Sequence, residues 1–224
     1  MSCWESEDRV PVFTAAVLDF DGTLASTVES IHLCMCEMLE GFGYPKPSLA
    51  DVQETVGLLL DDAIRALTHG EDSRLDAMRE AYRDLHNRKA VPLVHLFEGA
   101  VETLVMLRSL RIQTILASNR GPALHRLVEH LQIRDYFDVV LSIQDVPYHK
   151  PDPRLYSDCI RPLVTVPGEV LVVGDTESDL LFARTAGLKS CWAAYGYGNP
   201  GKCRALEPSF VIAAIGDLER VVRG

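Results

Sequence analysis

Val12-Phe-Thr-Ala-Ala-Val-Leu18 runs directly into Asp19-Phe-Asp-Gly-Thr-Leu24. The first stretch is short, mostly apolar and rich in β-formers, which predicts a strand buried on both faces. The second puts two carboxylates and a glycine abruptly at that strand's carboxyl end. A core strand that stops in charge is either finishing in a turn or delivering ligands to a site, and the rest of the chain has to decide between the two.

Downstream, from Val28 to about Leu93, the periodicity becomes helical and no strand is predicted. Val28–Gly41 reads as one helix, stopped by Gly41 and Gly43 ahead of Pro45 and Pro47. Leu49–Val56 is a shorter element, and Asp61–Leu67 and Ser73–His86 are two more helices. For the last, Ser73 with Asp76 three residues on has the form of an N-cap. Beyond Pro92 the pattern alternates. Helices are predicted at Gly99–Leu110, Pro122–Leu131, within Asp152–Leu163 and at Asp179–Ala186, with strands at Ile112–Ala117, Phe137–Ser142, Val170–Val173, Leu188–Ala193 and Phe210–Ile212. Strands without polar alternation, separated by helices, indicate a mostly parallel sheet covered on both faces, with the block 28–93 as a helical insertion.

The polar groups collect at strand ends. Asp19 and Asp21 follow the first strand, Ser118 and Asn119 the second, and Asp175 the strand at Val170–Val173. The strand at Phe137–Ser142 leads on to Lys150. Parallel sheets bind ligands beyond the carboxyl ends of their strands, so these residues can converge. Each also has an ordinary use. An Asp after a strand accepts turn hydrogen bonds, Thr176 and Asp179 suit a helix start, Ser118 and Asn119 can cap the helix from Pro122, and a loop Lys is commonly solvated. Taken together, the carboxylates Asp19, Asp21, Asp175 and Asp179 repel unless a cation lies among them, and a hard divalent ion with oxygen ligands such as Mg²⁺ answers that need. Gly22 allows a tight turn that presents N–H groups to an anion. In such a pocket Lys150 would neutralise a nucleophilic carboxylate and hold a phosphoryl oxygen.

Composition narrows the partners. The 224 residues are 47% hydrophobic and 24% charged, with 22 Lys and Arg against 32 Asp and Glu and a net charge of −10, which argues against nucleic acid and leaves a small phosphorylated metabolite open. No apolar run approaches the roughly 20 residues of a membrane span. The acidic start lacks the features of a secretory signal. Six scattered cysteines, with Cys34 and Cys36 pointing different ways on a helix, read as free thiols, and a cytoplasmic location is expected.

In this order the groups resemble the haloacid dehalogenase superfamily, specifically its phosphatases. Asp19-Phe-Asp-Gly-Thr-Leu24 matches the first motif, Ser118 with Asn119 the second, Lys150 the third and Gly174-Asp175-Thr-x-x-Asp179 the fourth. Lys150-Pro-x-Pro-x-x-Tyr156 and Ala186-Gly187 with Tyr195-Gly-Tyr-Gly198 look like the phosphoglycolate phosphatase branch. The resemblance implies an α/β fold, a three-layer Rossmann-like parallel sheet core spanning 1–27 and 94–224, with an inserted helical cap at 28–93. It implies Asp19 as nucleophile, Asp21 as acid and base, and Ser118 and Lys150 on the phosphoryl oxygens. Asn119, Thr23 and Gly22 would contact substrate. Mg²⁺ would be held by Asp19, the carbonyl of Asp21 and Asp175, with Asp179 either supporting these ligands or serving as a further one. A monomer or homodimer is expected.

The departures bear on substrate. Where this branch commonly has Asp-Ser after one apolar residue, the chain has Ala25-Ser26-Thr27. Leu60 stands where related sugar-phosphate mutases carry an Arg, which argues against a mutase, and Asp21 argues against a dehalogenase. Arg120 replaces a frequent Lys and could still attract an anion. The leading expectation is a Mg²⁺-dependent monoester phosphatase with phosphoglycolate as first substrate. A nucleoside monophosphatase, a phosphomutase and a non-catalytic binding module of the same fold are the alternatives.

Overall fold

In the computed structural model, which describes residues 11–70, 73–166 and 168–224, the opening strand β1 (Phe13–Leu18) is the central strand of the sheet. Its side chains are buried on both faces apart from half-buried Thr14, as the unbroken apolar run requires. The chain then passes through a short strand β2 (Ala25–Ser26) into four helices, α1 (Val28–Gly41), α2 (Leu49–Gln53), α3 (Leu60–Thr68) and α4 (Leu75–Leu85). A π-helical turn at His86–Ala90 and a 3₁₀ turn at Val91–Leu93 close this block, and β3 (His95–Leu96) pairs antiparallel with β2 where the chain returns.

The alternating part follows as α5 (Ala100–Ser109), β4 (Gln113–Ala117), α6 (Ala123–His130), β5 (Val139–Leu141), β6 (Glu169–Gly174), α7 (Glu177–Ala186), β7 (Lys189–Ala193), α8 (Pro200–Ala205), β8 (Phe210–Ile212) and α9 (Leu218–Arg223). The six-stranded sheet has the order β5-β4-β1-β6-β7-β8, and every pairing in it is parallel. One apolar cluster, including Phe20, Leu104, Leu127 and Leu218, covers one face, and a second with Phe182, Leu155 and Ile160 covers the other. The helical block has its own core of Ile31, Met35, Met38, Leu39, Val52, Ile64, Met78 and Tyr82. A parallel sheet with helices on both faces and a helical cap is the architecture expected from the alternation.

Local expectations differ in two places. The helix expected from Ser73 begins later, with Arg74 at its N-cap and no side-chain cap, so the Ser73–Asp76 box does not form. The box in this block is Ser48 with Asp51 at the start of α2. Within Asp152–Leu163 the chain makes a π-helical turn, Leu155–Ile160, and a 3₁₀ turn, Arg161–Leu163. Pro162, which has no N–H to donate, stands in the second of these. The five described cysteines are free; Cys3 and the acidic start lie outside the described residues.

Candidate active site

β1 and β6 end side by side, Asp19 donating its N–H to the Val173 carbonyl at 2.9 Å, and this pairing sets the site. Asp19 leaves the first strand, Asp175 leaves β6, and Asp179 lies in the first turn of α7. One carboxylate oxygen from each lies within 4.8 Å of the others, and all three residues are buried. Lys150, 4% exposed, donates to Asp19 Oδ1 at 2.5 Å and to Asp179 Oδ1 at 2.5 Å.

Asp179, Asp175 and Lys150 are also held from behind. The second oxygen of Asp179 accepts from the N–H and hydroxyl of Thr176 at 3.1 and 2.8 Å. Asp175 accepts from the Thr23 hydroxyl at 3.1 Å and the Tyr197 N–H at 2.7 Å. Gly22 lies at φ +78°, and a Cβ there would come within 2.2 Å of Asp175 Oδ2. Its smallness lets the turn after β1 pack on that carboxylate. Asn119 donates to the Lys150 carbonyl at 2.8 Å and to the carbonyl of Gly57, in the helical block, at 3.0 Å.

Burial is the largest influence on Asp19 and Asp175, and raises both above the usual carboxylate range. For Asp19, Lys150 opposes the rise while Asp179 and Asp21 add to it. For Asp175, Asp19 and Asp179 add to it. For Lys150, burial works against the charge, but Asp179 and Asp19 outweigh it and hold the ammonium protonated. One lysine among three buried carboxylates leaves negative charge in excess. Hard oxygen donors, close together and short of positive charge, fit a divalent cation such as Mg²⁺, since each carboxylate oxygen keeps a further lone pair for it.

The fourth carboxylate has gone elsewhere. The Asp21 side chain is not among the three oxygens. It takes a bidentate ion pair from Arg120, with Nε at 2.9 Å from Oδ2 and Nη2 at 2.5 Å from Oδ1. Burial opposes its charge, but the guanidinium prevails and holds Asp21 below its usual range. Arg120 Nη1 meets Nε2 of His86 at 2.6 Å, and the Arg120 N–H donates to Ser118 Oγ at 3.2 Å. The anion-attracting role expected of Arg120 is thus already occupied by a carboxylate of the chain itself.

Asp19, Asp21, Ser118, Asn119, Lys150 and Asp179 line one cavity of about 260 Å³ between the sheet and the helical block. Gly22 and Thr23, expected to touch substrate, are not among its lining residues; Thr23 is fully buried and spends its hydroxyl on Asp175. Sequence reasoning missed Tyr197 and His86 as parts of the site. The Tyr-Gly-Tyr-Gly stretch was the available signal for the first. His86 carried none.

The chain matches the haloacid dehalogenase-like hydrolase family over residues 16–193. It belongs to the haloacid dehalogenase family. Within that family it lies in the phosphoglycolate-phosphatase-like branch. It is 30% identical to the phosphoglycolate phosphatase of Vibrio parahaemolyticus over 91% of this chain and 93% of that one. It is 26% identical to the pyrophosphatase PpaX of Halalkalibacterium halodurans over 92% and 95%. The solved structure of a haloacid dehalogenase-like hydrolase from Bacteroides fragilis superposes with a TM-score of 0.84 at 28% identity, over 92% of this chain and 99% of the other. One from Haemophilus somnus gives 0.84 at 20% identity, over 93% and 97%, a likeness of fold. Haloacid dehalogenase membership together with the aspartate cluster makes the chain a phosphatase.

Proposed function

We propose that the chain hydrolyses phosphomonoesters of small metabolites with Mg²⁺, phosphoglycolate being the first substrate that its relatives suggest. The observation that carries this reading is the buried set Asp19, Asp175 and Asp179 with Lys150 bridging two of its members. The division into a core, 1–27 and 94–224, and a cap, 28–93, belongs to the same reading. So do a cytoplasmic location and a monomer or homodimer. Among the described residues no helix is long and apolar enough to cross a membrane.

Asp19 is the nucleophile. Its carboxylate oxygen bonds to phosphorus as the ester P–O bond breaks, and Asp21, which Arg120 holds ionised in the structure described, takes up a proton from solvent and gives it to the departing alkoxide. Water then attacks phosphorus, Asp21 takes its proton, and the bond to Asp19 breaks. Lys150 and Ser118 hold phosphoryl oxygens, and Lys150 also keeps Asp19 in line. Asn119 positions Lys150 through its backbone carbonyl, and Thr23 positions Asp175. Asp19, Asp175 and Asp179, with the carbonyl of Asp21, would hold Mg²⁺, which when bound draws charge from the phosphoryl oxygens.

The test is Asp19→Asn assayed on an aryl phosphate with Mg²⁺. Turnover falls by roughly 10⁴-fold or more, the scale on which loss of a covalent nucleophile acts. Near-normal turnover would overturn the covalent route.

A further inference from the structure

The phosphoryl end of the cavity is crowded with charge, whereas the cap contributes mostly apolar side chains to the lining, with Glu80 and Arg83 its charged members. Ile31 and Met35 on α1, Val56 and Leu58 before α3, Leu60 on α3 and Tyr82 on α4 form the far wall of the cavity. Ile31, Met35 and Tyr82 are buried and, with Val56 and Leu60, belong to the cap's own apolar core, while Leu58 is 46% exposed. The cavity volume of about 260 Å³ approaches the roughly 300–1,000 Å³ of ordinary small-molecule sites, which is ample for a phosphoryl group with a substantial body attached.

Each cationic side chain lining the cavity already has a carboxylate. Lys150 is shared by Asp19 and Asp179, Arg120 is held by both oxygens of Asp21, and Arg83, partly exposed, bonds the exposed Glu80 at 3.0 Å. His86 accepts from Arg120 at Nε2, which puts its proton on Nδ1, and that N–H is buried without a partner. Burial first, then the Arg120 charge, keeps this ring neutral. The Arg83 pair is solvent-screened and weak; elsewhere in the cavity a substrate carboxylate would have to displace the buried Asp21 to obtain a counter-charge, or lie against apolar side chains without one, which is costly.

The geometry points to a leaving group that is uncharged and carries an apolar body, so that this site favours phosphate esters of aliphatic or aromatic alcohols over those of hydroxy acids such as glycolate. This rests on the phosphatase reading and narrows it, away from the substrate its relatives suggest. Apolar contact with the wall contributes binding in proportion to the area covered, whereas a carboxylate gains nothing there.

Steady-state kinetics of the full chain with Mg²⁺ test it on benzyl phosphate and phosphoglycolate, both esters of primary alcohols, with p-nitrophenyl phosphate as a measure of chemical competence. The expected result is a kcat/KM at least tenfold higher for benzyl phosphate than for phosphoglycolate, with the difference mainly in KM. An equal or higher value for phosphoglycolate overturns the inference. So does hydrolysis of p-nitrophenyl phosphate with none of benzyl phosphate. No phosphate release from any of the three overturns the phosphatase reading itself. Leu60→Arg adds an unpaired cation to the wall and should reduce the benzyl preference at least fivefold by lowering KM for phosphoglycolate. An unchanged preference in a variant that keeps its circular dichroism and melting temperature counts against the role given to the wall.

Discussion

The floor and the roof of the cavity are built on opposite terms. On the floor, Asp19, Asp175, Asp179 and Lys150 each have prescribed partners on the strand ends and the loops beside them. On the roof, Ile31, Met35, Leu60 and Tyr82 present shape without directional bonds. A directional floor allows one chemistry, because moving any group unpairs a buried charge. A non-directional roof can change what it accepts by changing side-chain volume. On the proposed reading, chemistry and selectivity are carried by separate pieces of chain.

The hardest blow to this contrast is struck at the floor. Lys150→Met leaves Asp19 and Asp179 facing one another without their shared cation, and removes a donor to the phosphoryl group. It should lower kcat by about 10²–10³-fold for every substrate alike, the scale of losing one preorganised donor. A loss confined to one substrate in parallel assays would dissolve the separation of floor from roof.

Arg120 straddles the two, and its effect is smaller and of another kind. Arg120→Met removes the charge that holds Asp21 low, so the Asp21 pKa rises and the carboxyl keeps its proton to higher pH. The limbs of the kcat profile that report Asp21 should both move toward alkaline pH. A profile unmoved in measurements from pH 4 to 9 would mean that Asp21 does not carry the proton.

The smallest effect is on stability. In the folded chain burial and Arg120 depress His86 to about 3, against 6.5 for an ordinary imidazole. Between those values the unfolded chain binds a proton that the folded chain refuses, so stability is complete above about pH 6.5 and falls as pH drops, by up to about 1.4 kcal/mol per pH unit. His86→Gln should flatten that slope between about pH 6 and 4 in urea titrations. An identical slope would place His86 in water rather than under the cap.

These differences also explain what could be seen from the sequence. Parallel strands put their carboxyl ends at one edge, so Asp19, Ser118 and Asp175 could be placed together from strand patterns and spacing. The Asp21–Arg120 pair could not, since its members are 99 residues apart and each had another plausible use. Nor could the roof. Met35 and Leu39 are both apolar positions on α1, yet Met35 lines the cavity while Leu39 lies only in the cap's core, and helical periodicity gives the two the same signature. Ser73 failed as a helix start because an N-cap is decided by where backbone N–H groups go unpaired, which composition alone does not locate.

Tyr197 ties the start of the cap to the acidic cluster. Its backbone N–H is bound to Asp175, while its hydroxyl accepts from the N–H groups of Thr27 and Val28 at 2.9 and 3.3 Å and donates to Ser26 at 3.2 Å. The far side of the cap is tied by the Asn119 amide at Gly57 and by Arg126 at Asn87. At Tyr197 one side chain and its own backbone thus couple the entry of the cap to the acidic cluster, so a change at position 197 is felt on both sides of the seam.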